Sequence, residues 1–584
     1  MKFLIAFPLL GGTLFGATFY ASPSGDPIAP CTETDPCTLQ TAITNTASSS
    51  SPGEDTIKLM PGTYTIGATI TGSSIDGVII EASDPSNKPV LDASSAGVQI
   101  LDITASGNVI IRNIIFKGGN TSSDNGGALK ISSDSASSQI TAFTIESCEF
   151  INNRAVRGGA LWFNETNANV TIRNSIFDNN QAQEGGAVYV NANNLTIQNS
   201  KFSNNRASGG TGNGGGISAT VQGSSTVKVE FSAFFNNSAD TNGGAIYGTG
   251  GASVAFVNNL IYDNTSRNLG GGAYWSIGAG KVGLINNTVY SNGDGSLTPV
   301  NGGGAYIDIT DPSGEAYTYN NIFWNNTSSG GGDDLYINTV GAGVTVEIVS
   351  NVHGPDPVND VIVNGATPTK TGNKTTDPAF KNPPSDLDIG ETSSAIDIGD
   401  TPPTGSGFTV PGVDYEGTPR PIDGDGTGVS GSTDIDAGAY EFGYVLSVTK
   451  GGTGIGTVRS NDSPPTIDCG FTCTRKVDKG ANITLEISGL VNSRFDGWGD
   501  ACASCGTSTS CTLTGISADT TCSATFTYIG GDGEPSPAGC GPSSGGGGGE
   551  NATGCSSATA GQWIMILLTP AVLILRRILR GRRP

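Results

Sequence analysis

Glycine pairs that recur at a regular spacing constrain the fold of this chain more than any other feature. Gly-Gly-Ala triplets followed by apolar residues begin at Gly126, Gly158, Gly185, Gly243, Gly271 and Gly303, and a Gly-Gly-Gly-Ile variant begins at Gly214. Self-similarity with a period of about 30 residues is typical of solenoids, in which each repeat buries its apolar side against the next.

The period and the pattern inside each repeat favour strands over helices. About 28 residues hold three short strands and their turns but not two good helices. Apolar residues alternate in VTIRNSIF at 170–177, as they do in a strand with one buried face. Glycine tolerates the backbone of tight corners, and Asn at one corner of every coil can stack its amides into a ladder. We therefore predict an all-β right-handed parallel β-helix of about eleven or twelve coils, roughly 55 Å long.

The beginning of the predicted β-helix carries a possible cap. TLQTAITNTA at 38–47 spaces Leu39 and Ile43 by four residues, which predicts a short amphipathic helix covering the open end of the core. DTIKLMPGTYTI at 55–66 and GVIIEAS at 77–83 are interpreted as the first coils.

Composition excludes two classes of function. The chain of 584 residues has a net charge of -23, whereas nucleic-acid binders need a basic face. His353 is its single histidine, which excludes most His-based metal sites and general bases.

Both ends of the chain indicate export. Residues 1–21 carry one Lys, an apolar stretch and small residues, the pattern of a secretory signal peptide; a buried N-terminal strand is the alternative. Residues 529–557 form a Gly/Ser/Pro-rich linker, and residues 558–584 contain an apolar segment that closes on Arg. This order predicts a single membrane-spanning helix with a cytoplasmic end.

Cysteine usage agrees with an oxidising compartment. Two cysteines, Cys31 and Cys37, lie near the N-terminus, and six more lie close together at Cys469, Cys473, Cys502, Cys505, Cys511 and Cys522. We interpret them as disulfides, with zinc at the Cys502–Cys505 motif as the alternative. Six cysteines allow fifteen connectivities, which spacing alone does not resolve.

Few residues suggest catalysis. Asp333 and Asp334 could supply the paired carboxylates that a glycoside hydrolase needs, and Arg154 and Arg157 could act as the basic residues of a lyase. The alternative is that all four are turn and solvent-face residues.

An acidic stretch could bind calcium. Asp423 and Asp425, with Asp414, Asp434 and Asp436 nearby in sequence, offer the carboxylates and turns that suit this hard cation. Ordinary turn chemistry of Asp and Gly is the alternative interpretation.

Three tryptophans offer a binding interpretation. Trp162, Trp275 and Trp324 lie in or beside repeat strands. If they point outward in a row they can stack on sugar rings, and if they point inward they belong to the core.

Several stretches resemble known families of surface protein. Alternation of Gly-Gly-Ala with Phe-x-x-Asn, as at 150–153 and 177–180, resembles the repeat of chlamydial polymorphic outer-membrane proteins. That resemblance implies a surface passenger linked to adhesion, although this chain lacks the strands of a C-terminal barrel. The series from Asp377 to Phe442, which ends in DIDAGAYEF, resembles bacterial choice-of-anchor β-helix proteins and is most specific at Asp436–Glu441.

The C-terminal motif resembles a sorting signal. The order of Gly554, Cys555, two Ser, helix and Arg cluster is similar to the signals of Gram-negative surface proteins, in which a protease cuts near the motif. The resemblance implies transient residence in the inner membrane and final display at the cell surface or outer membrane. A permanent single-span anchor is the alternative.

Residues 445–528 resemble the divergent B-type repeats of internalin-like proteins at Gly497-Trp498 and at Cys469 and Cys473. That resemblance implies a small disulfide-stapled β module in which Cys469 pairs with Cys473 and Cys502 with Cys511. A Cys505–Cys522 pair goes beyond the usual pattern of the family.

Together these features predict a β-helix over residues 22–442, with coil repeats at about 100–350, followed by the β module and the anchor. The expected function is a non-catalytic adhesin or a component that binds polysaccharide, matrix or a host or neighbouring cell surface. The alternatives are a lyase or hydrolase of acidic polysaccharide, with calcium as its only suggested cofactor, and a passive surface spacer.

Overall fold

The computed structural model describes residues 16–49, 53–135, 139–209, 212–293, 299–356, 358–427, 434–462, 465–469 and 473–530. The chain divides into two compact units, Met1–Phe442 and Gly443–Pro584. The predicted sorting motif at Gly554 and Cys555 and the predicted membrane helix at 558–584 lie outside the described residues. Within the described ranges, no helix is long and apolar enough to cross a membrane.

The first unit is the parallel β-solenoid that the repeat predicts. Each coil contributes one or two strands to a 20-stranded sheet, whose members are Thr18–Asp26, Asp55–Leu59, Ile70–Ala82, Leu101–Arg112, Leu129–Ser133, Ile140–Glu146, Leu161–Arg173, Val188–Gln198, Ile217–Val221, Thr226–Glu230, Ile246–Thr249, Ser253–Val257, Ala273–Ile277, Lys281–Ile285, Ala305–Ile309, Glu315–Tyr319, Leu335–Thr339, Thr345–Val349, Val361–Asn364 and Thr369–Thr371. The long strands bend from one side of the coil to a second side. The coil at 129–146 and the later coils divide them into two strands.

Two smaller parallel sheets complete the coil. The ten-stranded sheet consists of Thr63–Thr65, Val90–Asp92, Ile115–Lys117, Glu149–Ile151, Ile176–Asp178, Lys201–Ser203, Ala233–Phe235, Leu260–Tyr262, Thr288–Tyr290 and Ile322–Trp324. The four-stranded sheet consists of Gln181–Ala182, Arg206–Ala207, Ser238–Ala239 and Thr265–Ser266.

The core consists of inward columns of equivalent residues. Leu161, Val188 and Ile217 follow one another in register, and all three are buried. A parallel column of phenylalanines stacks ring on ring, with centroids 4.6 to 4.9 Å apart, at Phe116, Phe150, Phe177, Phe202 and Phe234. Shared burial between coils explains why an isolated repeat would not be stable.

The glycine pairs form one corner of each coil, and both members are required there. Gly185 has a φ of 61°, which favours glycine. A Cβ added to Gly186 would lie 2.0 Å from the carbonyl oxygen of Gly215 in the next coil. In the later coils the pair begins one residue earlier than the Gly-Gly-Ala pattern suggests, since Gly270 and Gly302 hold the positive φ values of 65° and 69°.

Asn pairs form two further corners, and their two members have different tasks. Asn236 takes the left-handed conformation with a φ of 53°, and Asn237 buries its amide. The Asn237 Oδ1 accepts from the Asn205 main-chain N at 3.0 Å and from its Nδ2 at 2.9 Å. The predicted ladder is therefore confirmed, and it runs through Asn153, Asn180, Asn205, Asn237, Asn264, Asn292 and Asn326.

A second buried ladder lies at the corner between the large sheet and the ten-stranded sheet. Serine occupies it in the first coils and asparagine in the later ones, in the order Ser175, Ser200, Ser232, Asn259, Asn287, Asn321, Asn351 and Asn373. Each side chain accepts from the main-chain N–H of the preceding member, so the corner amides are satisfied without water.

The N-terminal helix Leu39–Ala47 is the predicted cap. Thr38 caps its N-terminus by accepting from the Thr41 amide, and Leu39 and Ile43 belong to the buried core. The first strand begins at Thr18, and Thr18–Ala21 pair in parallel with Thr56–Leu59. The predicted export signal at 1–21 stays a prediction, and the last four residues of that range form part of the first strand.

Residues from about 377 to 442 do not add coils but return along the outside of the solenoid. Beyond the short hairpin Phe380–Asn382 and Asp386–Ile389 and the 3-10 turn Thr404–Ser406, the segment packs Phe408 in a cluster with Tyr317 and Tyr319. The Asn286 Nδ2 donates to the Asp436 carbonyl at 2.8 Å. The ten strands of the second sheet therefore indicate about ten coils, fewer than the eleven or twelve predicted.

The second unit is a small all-β module. One sheet contains Tyr444–Gly452, Thr474–Val477, Ser493–Asp500 and Thr520–Tyr528, and the other contains Ile455–Ser460, Ala481–Val491 and Ser510–Ile516. A 3-10 turn at Ala503–Cys505 connects the two.

All eight cysteines predicted to form disulfides do so, but two pairs differ from the prediction. Cys31–Cys37 and Cys469–Cys473 are bonded as expected. The other bonds are Cys502–Cys522 and Cys505–Cys511, so the Cys502–Cys511 and Cys505–Cys522 assignments are wrong.

Strand pairing explains the difference. Asp500 lies opposite Cys522 in the antiparallel pair of Ser493–Asp500 with Thr520–Tyr528. Cys502, two residues further on, therefore lies beside Cys522, with their Cα atoms 5.2 Å apart. Cys505 follows in the 3-10 turn and meets Cys511 of the neighbouring sheet, with a Cα separation of 5.5 Å.

Candidate functional site

A row of outward-pointing aromatic side chains follows the solenoid along the first side of its large sheet. Strand register aligns its members, which are Trp162, Tyr189, Ser218, Tyr247, Tyr274, Tyr306 and Tyr336. We call the six rings among them the aromatic row. They alternate along each strand with buried residues such as Leu161 and Phe163, so the strand period places them on the outer surface.

The tyrosines in the later coils stack on one another. Tyr247 and Tyr274 have ring centroids 5.1 Å apart at 9°, and Tyr306 and Tyr336 have centroids 5.0 Å apart at 5°. Neighbouring rings cover one another's faces and Tyr306 is only 8 % exposed, so the accessible parts of the stack are ring edges and hydroxyls and not ring faces. Burial raises the pKa of Tyr306 to about 12, so its hydroxyl keeps the proton at physiological pH.

A polar row lies beside the aromatic row, two residues further along each strand. Its members in register are Asn164, Asn191, Thr220, Thr249, Ser276, Asp308, Asn338 and Asn364. Neighbouring members bond directly, since the Asn191 Nδ2 donates to the Asn164 Oδ1 at 2.9 Å and the Asn338 Nδ2 donates to the Asp308 Oδ1 at 2.8 Å. The two rows together form the aromatic face, a strip of hydroxyls, amides and ring edges repeated coil by coil.

The three tryptophans have three different positions. Trp162 begins the aromatic row. Trp275 is buried in the core, where it packs edge-on against Phe256. Trp324 points outward on the ten-stranded sheet, far from the row. The row itself consists mainly of tyrosines, which alignment of the repeats could have revealed, because each follows its glycine pair at a constant spacing.

The returning segment covers other parts of the solenoid. Phe408 contacts Tyr317 and Tyr319 of the second side of the large sheet, and Ala439 packs on Ala233 and Leu260 of the ten-stranded sheet. These contacts lie away from the aromatic face.

Asp333 and Asp334 do not form a catalytic pair. The Asp333 Oδ1 accepts from the Ser328 amide and hydroxyl, at 2.8 and 2.7 Å, and so closes a turn. Asp334 is 1 % exposed and ends the asparagine ladder by accepting from the Asn326 Nδ2 at 2.8 Å. Burial raises the pKa of Asp334 to about 7, but no path to a substrate accompanies this shift, because the carboxyl is enclosed.

Arg154 and Arg157 are also separated from these acids. Arg154 is exposed and lines a shallow polar cleft with Gln181 and Ser208. Arg157 bonds Glu184, with Nε and Oε2 3.3 Å apart. Six coils separate the arginines from Asp333, which is roughly 29 Å at 4.8 Å per coil. The aspartates suggested for a hydrolase and the arginines suggested for a lyase therefore lie at separate places on the solenoid and do not form one site.

The predicted calcium ligands divide into two groups. Asp423 and Asp425 converge with Asp397, which the sequence did not suggest, and carboxylate oxygens of the three lie within 4.8 Å of one another. Burial and the two neighbouring carboxylates raise the pKa of Asp397 to about 6. Its Oδ2 already accepts from the Asp425 amide at 2.8 Å, as in ordinary turns, and calcium binding stays a prediction.

Asp414 and Asp436 belong instead to a buried hydrogen-bond network. The Asp414 Oδ1 accepts from the Thr418 amide at 2.7 Å, and Asp436 accepts from the Asp397 amide at 2.8 Å and from the Phe442 amide. Asp434 is also buried. These three carboxylates do not join the Asp397 cluster, so the five-residue calcium set is not assembled.

The Asp-x-Gly-Ala-Tyr-Glu sequence fastens the returning segment to the coils. The Ala439 amide donates to the Thr288 hydroxyl at 3.0 Å. A Cβ added to Gly438 would lie 2.7 Å from the Cδ1 of Ile322. Glu441 pairs with the buried Arg420 at 3.2 Å.

Comparison with known proteins adds only a distant likeness. No family model and no curated protein matches the chain. A solved structure of a rhamnogalacturonan lyase is similar with a TM-score of 0.35 and 13% identity, over 63% of this chain and 91% of that one. That structure is also a β-helix, and nothing about the activity of this chain follows from so low a score.

Proposed function

We propose that this protein is a non-catalytic β-solenoid of the bacterial cell surface that binds polysaccharide along its aromatic face. The observation that carries the proposal is the pairing of an aromatic row, interrupted at Ser218, with a polar row on one side of the solenoid. Tyrosine and asparagine side chains supply apolar edges together with hydrogen-bond donors and acceptors, the mixture that a sugar chain with apolar C–H groups and many hydroxyls can use.

The repeat of the face suits a repetitive ligand. Apart from the coil of Trp162, which has no hydroxyl, and that of Ser218, which has no ring, each coil of the row presents one ring edge with its hydroxyl and one amide, hydroxyl or carboxylate, about 4.8 Å from the next set. A linear polymer lying along the solenoid axis can therefore make the same contacts several times, and weak contacts add up along its length.

Charge favours a neutral polymer over an acidic one. The chain carries a net charge of -23, which repels uronates at moderate ionic strength. The polar row contains one carboxylate, Asp308, and no basic residue. Both points argue against the acidic polysaccharides that the enzymatic alternative requires.

A glycan array with the purified full chain tests the proposal. We expect neutral oligosaccharides to bind and the triple variant Tyr274→Phe, Tyr306→Phe and Tyr336→Phe to bind at least about tenfold more weakly, since each lost hydroxyl bond contributes about 0.5–1.5 kcal/mol. The phenylalanine rings preserve the stack, so folding is not at issue. Tyr290→Phe on the ten-stranded sheet is the matched control and should bind like the wild type.

An activity assay on the same purified chain tests the enzymatic alternative. Sustained release of unsaturated products or reducing ends from a panel of uronate polymers, lost on Arg154→Ala or Asp333→Asn, would replace the binding proposal by a lyase or hydrolase. If no glycan bound, the passive surface spacer would be the hypothesis that agrees with the result.

Export and anchoring form the second part of the proposal and are supported by the sequence motifs at 1–21 and 554–584. If a signal peptide is removed, the first strand stays whole only when cleavage precedes Thr18, because Thr18–Ala21 pair with the next coil. N-terminal sequencing of the mature protein should therefore begin at or before Thr18. Cys555→Ala should leave the protein in the inner membrane or release it, and unchanged surface display of that variant would contradict the sorting signal.

A further inference from the structure

The aromatic row is interrupted at one coil, and a carboxylate lies at the interruption. Ser218 stands between Tyr189 and Tyr247 in register, in the repeat whose glycine motif is the Gly-Gly-Gly-Ile variant. The Ser218 Oγ donates to the Glu184 Oε1 at 3.3 Å. Glu184 reaches this place from the glycine corner of the preceding coil.

The two rings on either side have their outer faces occupied. The guanidinium carbon of Arg157 lies 5.4 Å from the centroid of the Tyr189 ring, on the side of the preceding coil. Tyr274 stacks on Tyr247 from the side of the following coil. The remaining faces of the two phenols are directed toward the gap above Ser218, two coils or about 9.6 Å apart.

Contact distances limit what fits between them. Van der Waals contact requires about 3.5–4.0 Å on each side, so the gap takes a single ring or group and not two stacked ones. Ser218 is 2 % exposed, and its hydroxyl is bonded to the Glu184 carboxylate. A ligand therefore meets the carboxylate at the base of the gap rather than the serine.

Glu184 is held in place by two contacts, and its carboxylate oxygens can accept further hydrogen bonds. Its Oε2 lies 3.3 Å from the Arg157 Nε and its Oε1 accepts from Ser218, and both contacts are long for charged groups. The side chain is 17% exposed. Burial and the Glu184 charge together raise the pKa of Tyr189 and of Tyr247, which places the carboxylate close to both phenols.

The gap thus combines two apolar ring faces with a charged acceptor at Glu184. A ligand that uses both must carry O–H donors on a body with apolar faces.

We infer that this gap, formed by Tyr189, Glu184, Ser218 and Tyr247, is the site at which one pyranose ring of a neutral sugar chain is bound. Two neighbouring hydroxyls of the sugar donate to the Glu184 carboxylate. C–H groups of the ring contact the two phenols. The inference rests on the proposed polysaccharide binding and assigns its specificity to one coil.

The test measures binding of sugars to three variants of the full chain and to the wild type. Saturation-transfer NMR detects binding of the methyl glycosides of glucose, galactose, mannose and N-acetylglucosamine. Calorimetry measures the affinity for the corresponding β-1,4-linked hexasaccharides. Glu184→Gln keeps the shape and removes the charge, and we expect at least about tenfold weaker binding, since hydrogen bonds to charged groups are the stronger ones. Ser218→Tyr displaces the carboxylate with the ring found in neighbouring coils and should abolish binding. Glu146→Gln, which removes the charge of a glutamate paired with Arg173 at 3.0 Å on the second side of the large sheet, is the matched control and should bind within about threefold of the wild type.

The outcomes separate the two proposals. If Glu184→Gln and Ser218→Tyr bind like the wild type while the triple tyrosine variant does not, the site in the gap is wrong and the polysaccharide face stands. If no neutral glycan binds the wild type, the proposed function fails as well. Equal melting temperatures of Glu184→Gln and the wild type would show that weaker binding is not a loss of folding, and Ser218→Leu fills the gap should Ser218→Tyr not fold.

Discussion

Replacing Asn237 by Ala should destabilise the solenoid more than any comparable change on its surface. Asn237 is 1 % exposed and lies in the middle of the asparagine ladder. Its Nδ2 donates to the Phe202 carbonyl and to the Asn264 Oδ1, both at 2.9 Å. Its Oδ1 accepts from the main-chain N–H of Asn205 and from one N–H of the Asn205 side chain.

The magnitude follows from the groups that lose their partners. Asn237→Ala leaves the main-chain N–H of Asn205, one N–H of its side chain and the Phe202 carbonyl unsatisfied in the core. Each buried unsatisfied group costs about 1–3 kcal/mol, so the free energy of unfolding should fall by about 3 kcal/mol or more. The Asn264 Oδ1 keeps its bond from the Asn237 main-chain N, and the loss there is small.

Asn164→Ala is the matched control. Asn164 is exposed and accepts one hydrogen bond, from Asn191, so its replacement should change the free energy of unfolding by about 0.5 kcal/mol or less. The same residue type is truncated in the same way, and only burial and the number of partners differ.

Urea unfolding of the two variants and the wild type, followed by far-UV circular dichroism, measures the difference. Limited proteolysis near the altered coil checks for local opening, since solenoid stability depends mainly on neighbouring coils. If Asn237→Ala lost no more stability than Asn164→Ala, the ladder would not be the source of coil stability and the reasoning would fail.

Two further predictions concern titration and disulfides. Since Asp334 has a pKa of about 7 in the folded state, the folded chain holds a proton that the unfolded chain releases, and stability should fall as pH rises from about 4 to 7 by an amount on the order of 4 kcal/mol. Asp334→Asn should remove that part of the pH dependence, and equal urea midpoints for variant and wild type at both pH 5 and pH 8 would contradict it. Peptide mapping without reduction should recover Cys502 linked to Cys522 and Cys505 linked to Cys511, whereas a Cys502–Cys511 peptide would refute the strand pairing described.

Much of the fold could be predicted from local pattern because a solenoid repeats a local rule. Alternation along 170–177 decides which side chains enter the core, and the spacing of the glycine pairs decides where each coil turns. The second ladder was harder to predict from the sequence, because Ser in the first coils and Asn in the later coils make the same hydrogen bond.

The candidate site was only partly visible in the sequence. The tryptophans suggested an aromatic surface, yet Trp275 is in the core and the row consists of tyrosines such as Tyr274. The gap at Ser218 depends on Glu184 reaching across from the preceding coil, and a contact between residues 34 positions apart follows from coil stacking and not from local pattern.

The amino-acid sequence by itself determined the coil, because period, alternation and glycine geometry are properties of neighbouring residues. Tertiary structure alone decided where the returning segment lies, which three carboxylates meet at Asp397 and which cysteine bonds Cys502. Those contacts join residues far apart in the chain, and their partners are selected by the shape and unsatisfied groups of a surface that exists only after the coils have stacked.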